Sequence, residues 1–261
     1  MSDLTDTTAI ETTAQILWDA WTDGELIDGL PAGTGPANVA DAYRVQFATD
    51  RFAGARVGWK LAATGAGGRT ALGVDQPLAG PLYARFQVPV GGSVEFGALR
   101  MSTIEAEFGL RLGRDLPATG APYDHDTVRA AIDAFVPAIE FPNTRYLDHR
   151  SAGVVALTAD AALAGFFVLG EPLTDFDIDS LPEHTVVLNT PNGPIEGTGA
   201  KVLGDPVEAV RWLANELGTY GYGLQAGETV ITGAAAATRE PGAGRVWAEY
   251  GTLGQVELQL T

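Results

Sequence analysis

From Gly58 to its C-terminal end the sequence is a succession of short apolar runs, each broken within a few residues by glycine or proline. That texture restricts the chain to a core made mostly of strands, because such runs suit strands and the glycines and prolines between them suit turns. Candidate strands fall at residues 57–61, 87–90, 93–96, 103–112, 135–140, 164–169, 185–189, 229–232, 245–250 and 254–260. Two helices interrupt them. One follows Asp124 through Ala134, and the other runs from Pro206 to Tyr220, with proline in its first turn and Val207, Val210, Leu213, Ala214 and Leu217 on one face. Before Gly58 the period changes: Ile10, Ala14, Leu17, Trp18 and Trp21 recur at steps of three and four, which predicts a helix over 8–21. A second helix starts after Asn38 as N-cap and buries Val39, Ala42, Tyr43 and Phe47. Strands outnumber helices without regular βαβ alternation, so an α+β or mostly-β core is expected rather than a doubly wound sheet. The expected organisation is an N-terminal helical segment, residues 1–55, attached to one core, residues 56–261. Hydrophobic residues at 46% and charged residues at 19% are enough to fold all but the first few residues.

Sixteen Lys and Arg against 33 Asp and Glu give a net charge of -17, a field that repels nucleic acid and acidic membrane surfaces. A dianionic substrate would be slowed too, unless a cation or a local Lys or Arg reverses the sign at the site. Cysteine is absent, which removes disulfides, thiolate zinc sites and thiol nucleophiles together. The segment MSDLTDTTAIETTAQ has no basic region followed by an apolar run, and no later segment reaches the length of a membrane helix. A cytoplasmic protein that does not engage membranes or nucleic acid is the expectation.

Ile104-Glu105-Ala106-Glu107-Phe108 places two acids inside an apolar strand, and side chains at i and i+2 share a face. Two carboxylates side by side repel, and one would hold its proton unless a cation lies between them. The pair alone reads equally well as a solvated strand edge. Pro137-Ala138-Ile139-Glu140-Phe141 adds a third acid at the end of an apolar run, where a Glu without a partner is costly. Glu105, Glu107 and Glu140 with no His or Cys nearby form an oxygen-rich set suited to Mg²⁺ or Mn²⁺ rather than Zn²⁺. His125, His149 and His184 are scattered without ligand spacing and read as surface or turn residues. Lys60, in the apolar run Val57-Gly58-Trp59-Lys60-Leu61, either snorkels to water or sets its ammonium against a carboxylate or enolate. Asp75, before a Pro turn, is by itself an ordinary turn acid. The chain has no Gly-x-Ser-x-Gly elbow and no phosphate loop. The stretch from Gly65 to Thr70 begins like a dinucleotide fingerprint but lacks its last glycine, and reads as a mobile loop able to close over substrate.

The ordered series GWKL, GVDQPLAGPLYA, IEAEFGLRLGRDLP, VPAIEFPNTRYLD and VLGDPVEAVRWLANELGTYGYGLQAGETVITGA resembles the 2-oxopent-4-enoate hydratase and 4-oxalocrotonate decarboxylase family of the fumarylacetoacetate hydrolase superfamily. The likeness runs from Asp41 onward and includes DAYRVQ. It implies a mixed β-sandwich/roll core of the fumarylacetoacetate hydrolase C-terminal type, a divalent ion and homo-oligomers. By the resemblance the metal ligands fall on Glu105, Glu107 and Glu140, catalytic polar groups on Lys60 and Asp75, and a substrate-lining position on Thr232. The implied activity is that of a lyase on a small 2-oxo acid through its enolate, hydratase-type first. Decarboxylase, tautomerase and C–C hydrolase are its chemical neighbours, and a non-catalytic partner subunit is the alternative of another class. Where relatives carry a polar Ala-Asp-Asn-Ala-Ser segment, this chain reads Ala159-Asp160-Ala161-Ala162-Leu163. Ala161 and Leu163 in place of an amide and a hydroxyl predict a more apolar pocket and a larger or less polar substrate.

Overall fold

Helix α1 (Thr7–Asp23) buries Ile10, Ala14, Leu17 and Trp18, the stripe that the three-and-four spacing predicts. Helix α2 (Val39–Ala53) starts at Asn38, whose side-chain oxygen accepts the Asp41 amide at 2.9 Å. The two helices close a small apolar cluster over Tyr146 and Ala159. The structure, a computed structural model, describes residues 7–261, so the expectation about the first few residues lies outside the described part.

After the helices come β1 (Arg56–Ala62), α3 (Ala66–Leu72), β2 (Leu78–Tyr83), β3 (Ser93–Val94) and β4 (Thr103–Leu112). The middle of the chain supplies α4 (His125–Arg129), β5 (Ile132–Phe141), α5 (Gly153–Ala159), β6 (Phe166–Leu169), β7 (Thr185–Thr190) and β8 (Gly193–Thr198). Helix α6 (Pro206–Thr219) and the strands β9 (Thr229–Arg239), β10 (Gly244–Glu249) and β11 (Gln255–Leu260) complete it. One sheet has the order β2-β1-β9-β4-β5-β6 and the other β3-β11-β10-β7-β8. Each mixes a parallel pair, β1 with β9 and β3 with β11, among antiparallel neighbours. A single apolar cluster including Phe108, Phe135, Val246 and Leu258 spans both sheets. Tyr250, fully buried just past β10, ties them with its hydroxyl 2.7 Å from the Glu107 carbonyl and 2.9 Å from that of Ala138.

Several local expectations are corrected. Residues 87–90 form no strand; Gln87 makes one isolated bridge to Phe167, and Pro89 has no amide with which to continue a ladder. The helix after Asp124 stops at Arg129 rather than Ala134, because the apolar run from Ile132 is taken into the sheet between β4 and β6. The glycine-rich stretch after Gly65 is helix α3, not a loop. Strands β2 and β8 were hidden by their prolines, Pro81 and Pro194, which are tolerated because both strands lie at sheet edges.

Candidate metal centre

Strands β4 and β5 are antiparallel neighbours with Glu105 directly opposite Glu140. Directly opposed residues share a face, and Glu107 lies on that face two residues along β4. One carboxylate oxygen from each acid lies within 4.8 Å of the others. On the far side of β4 the register with β9 shifts twice around Glu107, and the bulge there carries Gly233 at φ 102°. The Gly233 amide donates to Glu107 Oε2 at 2.6 Å. A Cβ at Gly233 would overlap the Thr64 hydroxyl, so only glycine lets the bulge aim its N–H at the acid.

Glu107 and Glu140 are completely buried, whereas Glu105 is partly exposed to the adjoining cavity. Glu107 Oε1 and both oxygens of Glu140 have no hydrogen-bond partner. Burial raises the Glu107 carboxyl well above its ordinary range, and the neighbouring Glu105 and Glu140 raise it further. Glu140 is pushed up to about 8, chiefly by burial, against the pull of Lys60. Burial likewise raises Glu105. Unpartnered buried carboxylate oxygens converging on one point, with no nitrogen or sulfur donor, fit a hard divalent cation.

Lys60, on β1 and 1% exposed, sets its Nζ 3.4 Å from Glu140 Oε1 and donates to the Ala162 carbonyl at 3.3 Å. Burial alone would lower this ammonium, but Glu140, Glu105 and Glu107 together hold it above its ordinary value. It does not snorkel. The carbonyl it meets belongs to a turn in which Ala161, Ala162 and Leu163 all have φ between 49° and 64°. A left-handed run of L-residues costs about 1–2 kcal/mol per residue. The buried Arg145 braces it from both ends, through the Asp160 carboxylate and carbonyl and through the Ala164 carbonyl at 2.7 Å.

Beside Glu105 and Lys60 opens a cavity of about 390 Å³, lined by Ala62, Ala71, Leu72 and Leu163 on its apolar side and by Thr103, His149, Arg150, Thr238 and Arg239 elsewhere. Gly65, Gly67 and Gly68 around the start of α3 also border it. The other expected positions fall in different places. Asp75 is exposed and borders a different cavity with Tyr43, Glu216 and Tyr220, because the left-handed Gly73 ends α3 and turns the chain away. Thr232 is fully buried with its hydroxyl donating to the Phe108 carbonyl at 2.9 Å, so its neighbour Gly233 is the residue that touches the acids. Leu163 does face the cavity, while Ala161 lines a small separate pocket under Trp18 and Trp21. His149, expected to be a surface or turn residue, lies half-buried in a turn at this cavity, and the arginines beside it were not singled out by the sequence. A basic cluster in so acidic a chain was the available signal, but residues 149–150 and 239 meet only in three dimensions.

Comparison with known proteins gives a consistent set. The chain is 36% identical over 230 residues to a 2-keto-4-pentenoate hydratase of Paraburkholderia xenovorans (strain LB400), covering 86% of this chain and 84% of the relative. It is 31% identical over 228 residues to a 4-oxalocrotonate decarboxylase of Pseudomonas putida, covering 85% of each. Among solved structures, the 4-oxalocrotonate decarboxylase from Pseudomonas putida G7 complexed with magnesium and adipate superposes with a TM-score of 0.85 at 27% identity, covering 97% of both chains. No family model matches the chain. No helix among the described residues is long and apolar enough to cross a membrane.

Proposed function

Because the chain belongs to the family of 2-keto-4-pentenoate hydratases and 4-oxalocrotonate decarboxylases, we propose that it is a metal-dependent lyase that hydrates a small 2-oxo acid presented as its 2-hydroxydienoic enol. The observation that carries this reading is the convergence of Glu105, Glu107 and Glu140 with two buried oxygens, Glu107 Oε1 and Glu140 Oε2, left without a hydrogen bond or ion pair. These residues would hold a divalent cation, Mg²⁺ or Mn²⁺. The ion supplies the positive charge that stabilises an enolate.

The protein's own residues do the rest. Gly233 fixes one oxygen of Glu107 and so orients that carboxylate. Lys60, held by Ala162 and Glu140, keeps one of its three donors for the substrate and is in place to steady or hand on a proton as the enol becomes the oxo form. Water then adds at the far end of the conjugated system. Leu72 and Leu163 give that system a dry wall. The same reading divides the chain into an N-terminal helical segment, 1–55, and a core, 56–261, of the mixed roll type. It also makes the protein a cytoplasmic homo-oligomer.

Decarboxylation is the second reading, favoured by the solved structure of a decarboxylase that this chain matches over 97% of its length. Incubating the protein and Mg²⁺ with 2-hydroxydienoates and 2-oxo-enedioates, followed by mass detection, separates the two. We expect a product heavier by one water. Loss of CO₂ alone would select the second reading, and no turnover with any substrate would remove both.

A further inference from the structure

Hydration needs more than an enolate, because some group must take a proton from the water as it adds. The ionisable residues that line the cavity beside the acids are Lys60, Glu105, His149, Arg150 and Arg239. Glu105 belongs to the acid trio, and Lys60 donates to the Ala162 carbonyl beside Glu140, contacts that engage it as an ammonium. Arginine keeps its proton at any ordinary pH. Within the cavity lining, His149 is left as the group able to accept a proton near neutrality.

His149 also stands apart from the other two histidines. His125 Nε2 lies 3.1 Å from Asp205 Oδ2 and His184 Nε2 lies 2.6 Å from the Tyr250 carbonyl, so the fold already occupies both rings. The His149 ring, half-buried in the turn between β5 and α5, makes no hydrogen bond and no ion pair among the described residues. Asp148 and Arg150 flank it in its own segment, Arg239 approaches from the end of β9, and Lys60 and Glu105 line the same cavity. Burial, Arg150 and Arg239 hold its conjugate acid below the usual histidine range against the pull of Asp148, so the ring is a neutral base at pH 7.

The sheet sets where that base works. Arg239 pairs with Thr103, two residues along β4 from Glu105, a rise of about 7 Å. In an extended 2-oxo-3-enoic acid held at the acids through C1 and C2, C4 lies about 2.5 Å beyond C2, and a water poised to attack it about 3 Å further. Such a water reaches the depth of Arg239 and the imidazole beside it.

We propose that His149 is the catalytic base of the hydration step, taking a proton from the water that adds to C4. This rests on the lyase reading and names the residue that completes it. As the water oxygen bonds to C4, its O–H bond breaks and the proton passes to the imidazole. The C3=C4 electron pair shifts to C2–C3 and the carbonyl pair to the C2 oxygen, giving the enolate. When the enolate collapses to the oxo form, the imidazolium returns the proton to C3, so one water is consumed and His149 ends neutral.

The test uses the full-length protein with saturating Mg²⁺ and two probes, 2-hydroxypenta-2,4-dienoate and 2-hydroxyhexa-2,4-dienoate. Two steps are read on each sample: loss of dienol absorbance for tautomerisation, and a mass gain of one water for hydration. In H149A we expect the ratio of hydration to tautomerisation to fall at least about 100-fold, the size of a lost general base. Added imidazole restores hydration in proportion to its neutral fraction. Without it, the decline of hydration below about pH 6.5 that the unaltered protein shows is absent from H149A. An unchanged ratio, an equal loss of both steps, or a loss that imidazole does not relieve overturns the role of His149 and leaves the metal site standing. A product that has lost CO₂ without gaining water does the same. Failure of the unaltered protein to turn over either probe overturns the lyase reading, and the role of His149 with it.

Discussion

A carboxyl that ionises near 8 in the fold but near about 4.3 in an unfolded chain makes the metal-free protein sensitive to pH in a defined direction. Between those values the folded form, with Glu140 protonated, binds more protons than the unfolded form, so this contribution to stability is whole at low pH and lost as pH rises through about 8. A divalent cation competes with those protons, and its affinity rises over the same interval. We expect the melting temperature without metal to fall between about pH 5 and about pH 8.5, while the increment from added Mg²⁺ grows. Glu107→Gln serves as the control: it replaces a carboxyl held protonated by burial with a neutral amide, weakens Mg²⁺ by about 100-fold and abolishes the growing increment without lowering the metal-free melting temperature. A Mg²⁺ increment that is flat across pH would contradict the assignment of these acids.

Strand β9 shows how an element can be a scaffold and part of the site together. Its two register shifts against β4 set the Gly233 amide on Glu107, and the Thr64 side chain fills the space where a Cβ would go. Gly233→Ala must move either Thr64 or the bulge, and we expect it to cost about 2–4 kcal/mol in denaturant unfolding and to weaken Mg²⁺ as well. Unchanged Mg²⁺ affinity in a destabilised Gly233→Ala would show that the bulge only supports the fold. The sequence reading took residues 229–232 as a strand and stopped there, because GAAAATR opens with a glycine and four alanines, which do not announce one. Pairing with β4 extends it to Arg239. Strand β4 and helix α6 were legible nearly to the residue, since each has a long, uninterrupted period and, for α6, Pro206 in its first turn.

Over the whole molecule, 33 acids against 16 bases draw cations toward the site and repel anions. Salt screens that attraction, so Mg²⁺ affinity is expected to fall when ionic strength is raised from about 0.01 M to about 0.15 M, as calorimetric titration would read. Affinity independent of salt would mean that the three local carboxylates outweigh the field of the whole protein. What the sequence determined on its own was whatever depends on neighbours along the chain: the buried faces of α1, α2 and α6, the identity of most strands, and the common face of Glu105 and Glu107. Side-chain direction repeats every two residues in a strand and every 3.6 in a helix, so a single run of sequence contains it. An ordered set of motifs also placed the chain in its family. Only the tertiary structure decided that β4 lies against β5 with Glu105 facing Glu140, that Asp75 turns into another cavity, and that His149, Arg150 and Arg239 meet at one rim. Those facts follow from strand order, register and left-handed turns, which packing between distant segments selects and no local period encodes.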